Sequence, residues 1–189
     1  MASAPLPWFP IRTARLLLRE FQAGDLDDVH AYASDPNTVR YMEWGPNTPE
    51  VSSERLRLTL AEQAQWPRRD VNLAAQLIED GQVIGSVRLG LDDQAGADLG
   101  YVLGSSWWGF GYGYEAASAV LTTAFETLRL HRVWATCDAR NAASVRLLEK
   151  LGMRREGTML QDRKVREGWR DTHLFALLDD EWPQGKRAL

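Results

Sequence analysis

Scarcity narrows the reading of this sequence first. One cysteine, Cys137, stands among 189 residues, so no intrachain disulfide can form and a reducing, cytoplasmic setting fits. The three histidines, His30, His131 and His173, are scattered without metal-ligand spacing. Packing or surface roles are expected for them, and no metal. No apolar run approaches the roughly 20 residues of a membrane span, so no membrane partner is expected. The opening stretch MASAPLPWFP lacks the basic start and apolar run of a secretory signal and reads as a proline-rich arm over residues 1–10. Cationic excess is also missing. The net charge of −4 removes bulk electrostatics as a reason to bind nucleic acid, and none is expected as a partner. No repeat, low-complexity tract or linker-like composition divides the chain. It reads as one domain over residues 11–182 with a short tail at 183–189.

What is present is ordinary globular patterning. Residues 15–21 read as a strand around Leu16, Leu17 and Leu18. Asp25 is a plausible helix cap, with Leu26, Val29 and Ala33 on one helical face. Asp35-Pro36 ends that helix, because a residue before proline avoids helical geometry. Thr48-Pro49 opens a second helix, expected to run to about Trp66. Strands at 73–79 and 82–91 are expected to join through a two-residue turn at Asp80-Gly81. In the second of them Val83, Val87, Leu89 and Leu91 share one face, with Gly85 interrupting. A strand at 98–103 follows. After a glycine-rich loop, Ala116, Val120, Ala124, Phe125 and Leu128 make a helical stripe. Residues 132–138 form a strand with Val133, Ala135 and Cys137 on one side. Residues 141–151 form a short helix closed by Gly152, and strands at 154–160 and 171–178 end the pattern. The order predicts a mixed α/β fold with one central sheet.

The loop Trp107-Trp108-Gly109-Phe110-Gly111-Tyr112-Gly113-Tyr114-Glu115 lies between a strand and a helix. Glycines let backbone N–H groups turn toward one point, and a helix N-terminus adds partial positive charge; together they suit a pyrophosphate. A tight structural turn is the alternative. A P-loop is excluded, because no lysine ends the run. A dinucleotide fingerprint would want a third glycine where Tyr114 stands, and the chain offers few βα units, although Asp138 imitates the ribose-binding acid.

The same loop resembles the Gln/Arg-x-x-Gly-x-Gly/Ala signature of the GNAT acyltransferase superfamily, with Trp108, Gly111 and Gly113 in the first, fourth and sixth positions. Trp108 departs from the consensus. The run from Trp108 to Ala116 is similar to the branch that includes the ribosomal-protein N-terminal acetyltransferases. A second run, Asn141 to Met153, resembles the family's Asn-x-x-Ser-x-x-x-x-Glu-Lys-x-Gly-Phe, with Met153 replacing the aromatic. Looser likeness extends to residues 12–19 and 167–171. The resemblance implies a GNAT-like fold: a central mixed, mostly antiparallel sheet flanked by helices, with a splayed strand before the loop. It also implies acetyl-CoA as the acyl donor, held by Tyr101, Val102, Leu103, the loop residues Trp108, Gly109, Phe110, Gly111, Tyr112, Gly113 and Tyr114, and Asn141 and Ser144.

The implied reaction moves an acetyl group from a thioester to a primary amine, with a protein or peptide N-terminal α-amine as the leading acceptor. A small-molecule amine, such as an antibiotic or amino acid, is the alternative acceptor. A non-catalytic acyl-CoA-binding module and a nucleotide-binding domain are the other readings. An α-amine has a reference pKa of about 8 and must lose a proton to attack. Asp98, before a Gly-Tyr pair, is the candidate base; an exposed strand-end aspartate is the alternative. The family's tyrosine acid corresponds to Leu148, which cannot donate, so Ser144 is the candidate proton donor. Glu115, in the first turn after the loop, reads as a helix-dipole partner. Asn141 reads as a helix cap that also meets the cofactor arm. Trp44 lies where the family places an acceptor-binding loop. The charged stretch around Trp169 reads as a solvated hairpin, or as a second wall of the acceptor cleft completed by a partner subunit in a homodimer.

Overall fold

The computed structural model describes residues 9–165 and 168–183. Residues 1–8 of the expected arm, residues 184–189 of the tail and Glu167 of the last likeness lie outside the described residues.

The strands and α-helices of the described residues follow in chain order: β1 (Ile11–Arg12), β2 (Leu16–Arg19), α1 (Leu26–Ser34), α2 (Pro49–Gln63), β3 (Asp70–Leu77), β4 (Val83–Leu91), β5 (Gly96–Leu103), α3 (Tyr112–Thr122), β6 (Arg132–Asp138), α4 (Ala142–Lys150), β7 (Arg154–Val165) and β8 (Gly168–Leu178). The strands form one sheet in the order β1-β2-β3-β4-β5-β6-β8-β7. Every neighbouring pair is antiparallel except β5 with β6.

Alternation along the strands builds two cores. Val71, Leu73, Val87, Leu99, Val133 and Phe175 point to the face covered by α3 and α4, where Ala117, Val120, Leu121 and Leu148 meet them. Ala74 and Val102 point the other way, onto Val29, Tyr32 and Leu56 of α1 and α2. Full burial of one such side chain contributes about 1.5–3 kcal/mol, so each face holds its helix pair without help from helix propensity. The helix ends follow their sequence signals. Thr48 caps α2 by accepting from Val51 N at 3.4 Å, and Asn141 caps α4 by accepting from Ser144 N at 3.1 Å. Gly152, in the left-handed region at φ 90°, ends α4.

Four expectations are corrected. The β3–β4 connection is not a two-residue turn: Leu77 N donates to Gln82 O, leaving residues 78–81 as a four-residue loop with Gly81 at φ 81°. Val83 does not share the face of Val87 and Leu89. A register shift inserts Ile84 between the pairs Ala75↔Gly85 and Gln76↔Val83, which turns Val83 to the α1–α2 face. Gly85 sits at that bulge because a Cβ there would meet the Val102 carbonyl oxygen at 2.1 Å. The last two strands reach further than expected and close a hairpin, with Arg163↔Arg170 and Val165↔Gly168 paired. Helix α2 stops at Gln63, short of Trp66, whose following proline disfavours helical geometry.

Candidate active site

Strands β5 and β6 pair at three positions, Gly96↔Arg132, Ala97↔Val133 and Asp98↔Trp134. Beyond them β5 stays on β4 as far as Leu103↔Gly85, and β6 stays on β8 as far as Asp138↔Thr172. Each strand follows its antiparallel neighbour, so the two part company and the sheet opens as a wedge. Past Asp98, the edge of β5 that faces the wedge has no ladder partner, and so can take an extended amide chain as an added strand would.

The glycine-rich loop lies beyond the wide end of the wedge. Gly109 and Gly111 both hold left-handed backbone, φ 84° and φ 86°, which costs an L side chain about 1–2 kcal/mol. Gly111 is the residue before α3, so the free N–H groups of the first turn follow it directly. At Gly113 a Cβ would stand 3.4 Å from both Leu103 and Leu147, so this glycine seats α3 between the end of β5 and α4. The indole N–H of Trp108 donates to the Leu103 carbonyl at 2.8 Å and ties loop to strand.

A clamp from the start of the chain holds the loop. Glu115 accepts from Thr13 Oγ1 at 2.6 Å, Arg15 N at 2.8 Å and Arg15 Nε at 2.7 Å. Burial raises the Glu115 pKa, but these bonds and the Arg15 charge outweigh it and hold the carboxyl below its ordinary value. Arg15 also donates to the Phe110 carbonyl at 2.9 Å and lies 4.3 Å over the Tyr112 ring. Glu115 therefore does more than meet a helix dipole: it joins the β1–β2 turn to the loop.

Across the wedge, the Tyr101 hydroxyl of β5 lies 2.7 Å from Ser144 Oγ of α4. Burial pushes the Tyr101 phenol above its ordinary value, so it stays protonated and able to donate. Burial likewise raises the neighbouring Cys137 thiol, which opposes its forming a thiolate. Leu148 is fully buried in the α3–α4 core and takes no part.

A cleft of about 610 Å³ runs from this hydroxyl pair to the face covered by α1, α2 and the segment that joins them. Tyr32, Tyr41, Met42 and Trp44 form its apolar walls. Its charges are mostly engaged. Arg170 donates to the Tyr41 carbonyl and to Glu43 Oε1, each at 2.9 Å, and so ties β8 to the segment bearing Trp44. Arg88 pairs with Asp70 at 2.6 Å, and Asp138 accepts from Arg140 at 2.8 Å. Asp98 sits differently from the sequence expectation. It is ion-paired with Arg88 and lines a separate depression of about 200 Å³ with Arg69 and Trp134, outside the cleft that holds Tyr101 and Ser144.

Residues 15–154 match the acetyltransferase (GNAT) domain family. The chain belongs to the GNAT acetyltransferases. Over 172 residues it is 32% identical to the uncharacterized N-acetyltransferase YnaD of Bacillus subtilis (strain 168), covering 91% of this chain and 98% of that one. The structure of a GNAT-family acetyltransferase from Bacillus anthracis superposes with a TM-score of 0.81 at 29% identity, over 91% of this chain and 99% of that one. A shorter likeness, 34% over 88 residues, covers 47% of this chain and 45% of the [ribosomal protein uS5]-alanine N-acetyltransferase of Escherichia coli (strain K12). GNAT acetyltransferases use acetyl-CoA.

Within this GNAT enzyme, the structure brings Tyr101, Val102, Asn141, Ser144 and Trp44 to one cleft. Trp169 stands 60% exposed on β8 and does not line it; the adjacent Arg170 does. Sequence reasoning missed the pairing of Tyr101 with Ser144, which are 43 positions apart, and the anchoring role of Arg170. No local spacing announces either. Both follow from register, which sets β8 beside β6 and leaves β5 facing α4.

Proposed function

We propose that this GNAT enzyme transfers acetyl from acetyl-CoA to the α-amine at the N-terminus of a peptide or protein. The observation that carries the transfer chemistry is the Tyr101–Ser144 pair inside a wedge that opens after Asp98↔Trp134. The free edge of β5 holds the pantetheine arm, and the N-terminus of α3 with Gly109 and Gly111 holds the pyrophosphate. When bound, acetyl-CoA supplies a thioester as the activated acetyl group. A backbone N–H on β5 donates to the carbonyl oxygen as negative charge gathers there. The amine nitrogen bonds to the carbonyl carbon, and the carbon–sulfur bond breaks. Ser144, held by Tyr101, gives the departing sulfur a proton, and the pair regains it from water. Asp98, engaged by Arg88, is set aside as the base in this reading, and the amine proton passes to water or to a carboxylate of the cleft.

Support for a peptide acceptor comes from the likeness to the uS5-alanine acetyltransferase and from an aromatic-walled cleft. A second reading, a small-molecule amine, rests on the cleft volume, which lies within the small-ligand range. Release of free coenzyme A thiol, followed with one panel of free-N-terminus peptides and one of amino acids, polyamines and amine antibiotics, separates the two. Peptides as the better substrates by kcat/KM support the proposal; turnover confined to the small amines overturns it.

A further inference from the structure

Glycines stand at four positions of β4 and β5, and protein neighbours explain three of them. A Cβ at Gly85 would collide with the Val102 carbonyl, at Gly90 with the Asp98 and Arg88 side chains, and at Gly96 with the Asp92 carboxylate. Gly100 has no such neighbour. A Cβ there would find only the Arg88 Cβ, at 3.9 Å, an ordinary van der Waals distance. Its backbone is strand backbone paired with Arg88, so conformation does not call for glycine either. Glycine inside a strand weakens the sheet, and close approach of a ligand is one of the reasons it stands there.

The space over Gly100 is kept clear by a neighbouring row. Asp70, Gly90 and Asp98 lie side by side across β3, β4 and β5. Arg88 pairs with both carboxylates of that row, and its guanidinium lies over Gly90 rather than over Gly100.

Gly100 also borders the wedge. Asp98↔Trp134 is the last pair that joins β5 to β6, and the partners of a pair share a face. Alternation therefore puts Gly100 and Thr136, each two residues further on, on that same face. It is the face of Val102, beneath α1 and α2, and both residues line the cleft. Thr136 is exposed although β6 is an interior strand, and among the described residues its hydroxyl makes no hydrogen bond. Tyr101 points the other way, to the α3–α4 core and Ser144. The wedge thus has two unlike faces. One carries the proton donor for the departing sulfur, and the other carries bare backbone and a free hydroxyl.

Building on the peptide reading above, we infer that the acceptor reaches the thioester across Gly100 and that Thr136 Oγ1 accepts an N–H of its α-amine. Nucleophile and proton donor then act from opposite faces and do not compete for space. The missing side chain at position 100 makes room for the acceptor's first residue.

The test measures kcat/KM for free-N-terminus peptides that differ only in a first residue of glycine, alanine or leucine. Wild type, Gly100→Ala, Thr136→Val and Thr136→Ser are compared, with acetyl-CoA affinity read by calorimetric titration. The added methyl of Gly100→Ala meets nothing closer than 3.9 Å, so fold and acetyl-CoA affinity are expected at wild-type values. Its kcat/KM falls by roughly 10-fold or more on the alanine and leucine peptides, the effect of one methyl group in a fitted site, and least on the glycine peptide. Thr136→Val lowers kcat/KM on all three alike by roughly 2- to 10-fold, the worth of one hydrogen bond, and Thr136→Ser restores it. Wild-type rates and ranking in Gly100→Ala, or lost acetyl-CoA affinity in place of altered acceptor selectivity, overturn the passage while leaving the peptide reading intact. Wild-type rates in Thr136→Val overturn the role of its hydroxyl. Turnover of small amines and of no peptide overturns the peptide reading; lowered rates on those amines in Gly100→Ala then support the passage, and unchanged rates overturn it as well.

Discussion

The hydroxyl pair and the glycines carry the residue-scale argument. Tyr101→Phe removes the donor behind Ser144 while keeping the ring in place. It is expected to leave acetyl-CoA affinity unchanged and to lower kcat by about 10- to 100-fold, the ordinary worth of a positioned proton donor. Steady-state rates equal to wild type would remove the pair from the mechanism. Gly111→Trp places a bulky side chain at a left-handed position, with its Cβ 3.5 Å from Arg15 Nη2, where the loop turns into α3. Calorimetric titration is expected to show no acetyl-CoA binding to the folded variant; wild-type affinity would sink the loop assignment. Both glycines were legible from the loop alone, because a left-handed backbone leaves few other residues to choose. Asp98 was not. Its partner Arg88 lies ten positions upstream on the neighbouring strand, and only the strand register reveals that the carboxylate is taken.

At the scale of elements, two clamps hold the chain that follows β5, at the wide end of the wedge. Asp35, just after α1, accepts from Ser105 Oγ at 2.5 Å and Thr38 Oγ1 at 2.7 Å, while Ser105 N donates to Thr38 Oγ1 at 2.8 Å. These hydrogen bonds, from Ser105 first and Thr38 second, hold the Asp35 carboxyl down to about 2, below its ordinary value near 4. A folded-state pKa below the unfolded one stabilises above the unfolded value, and the gain is lost as pH falls toward the folded value. Denaturant unfolding should therefore show Asp35→Asn less stable than wild type at pH 6, with the gap closing between about pH 4 and 2. A gap independent of pH would assign the effect to packing instead. Glu115→Gln weakens the second clamp. Its charge-assisted bonds are partly exposed through Arg15, so a loss of about 1–2 kcal/mol is expected, read as a lower unfolding midpoint. No change would show that the β1–β2 turn holds the loop by other contacts. The sequence marked the elements themselves well, since caps and periodicity are local. It missed the four-residue loop after β3 and the full length of the β7–β8 hairpin, because those are set by bulges and cross-strand pairing.

Taken as a whole molecule, the enzyme turns one topological fact into chemistry. The parallel pair, β5 with β6, lies between antiparallel neighbours and opens after Asp98↔Trp134 toward a cleft roofed by α1 and α2; the proposed function places the thioester in that opening. The glycine loop and α4 were readable from two motifs, because glycine and cap positions leave marks in sequence. Of the acceptor side of the cleft, only Trp44 was legible, because its other walls come from α1, α2, the segment between them and β8, which meet only in the fold. The central claim is transfer to an N-terminal α-amine, and mass spectrometry of one peptide in two forms tests it most directly. A lysine-containing peptide with a free N-terminus, incubated with enzyme and acetyl-CoA, should gain one acetyl group on its first residue, and its N-terminally blocked twin should gain none. Acetyl on the lysine of both forms, or on neither peptide while small amines are turned over, would contradict the account.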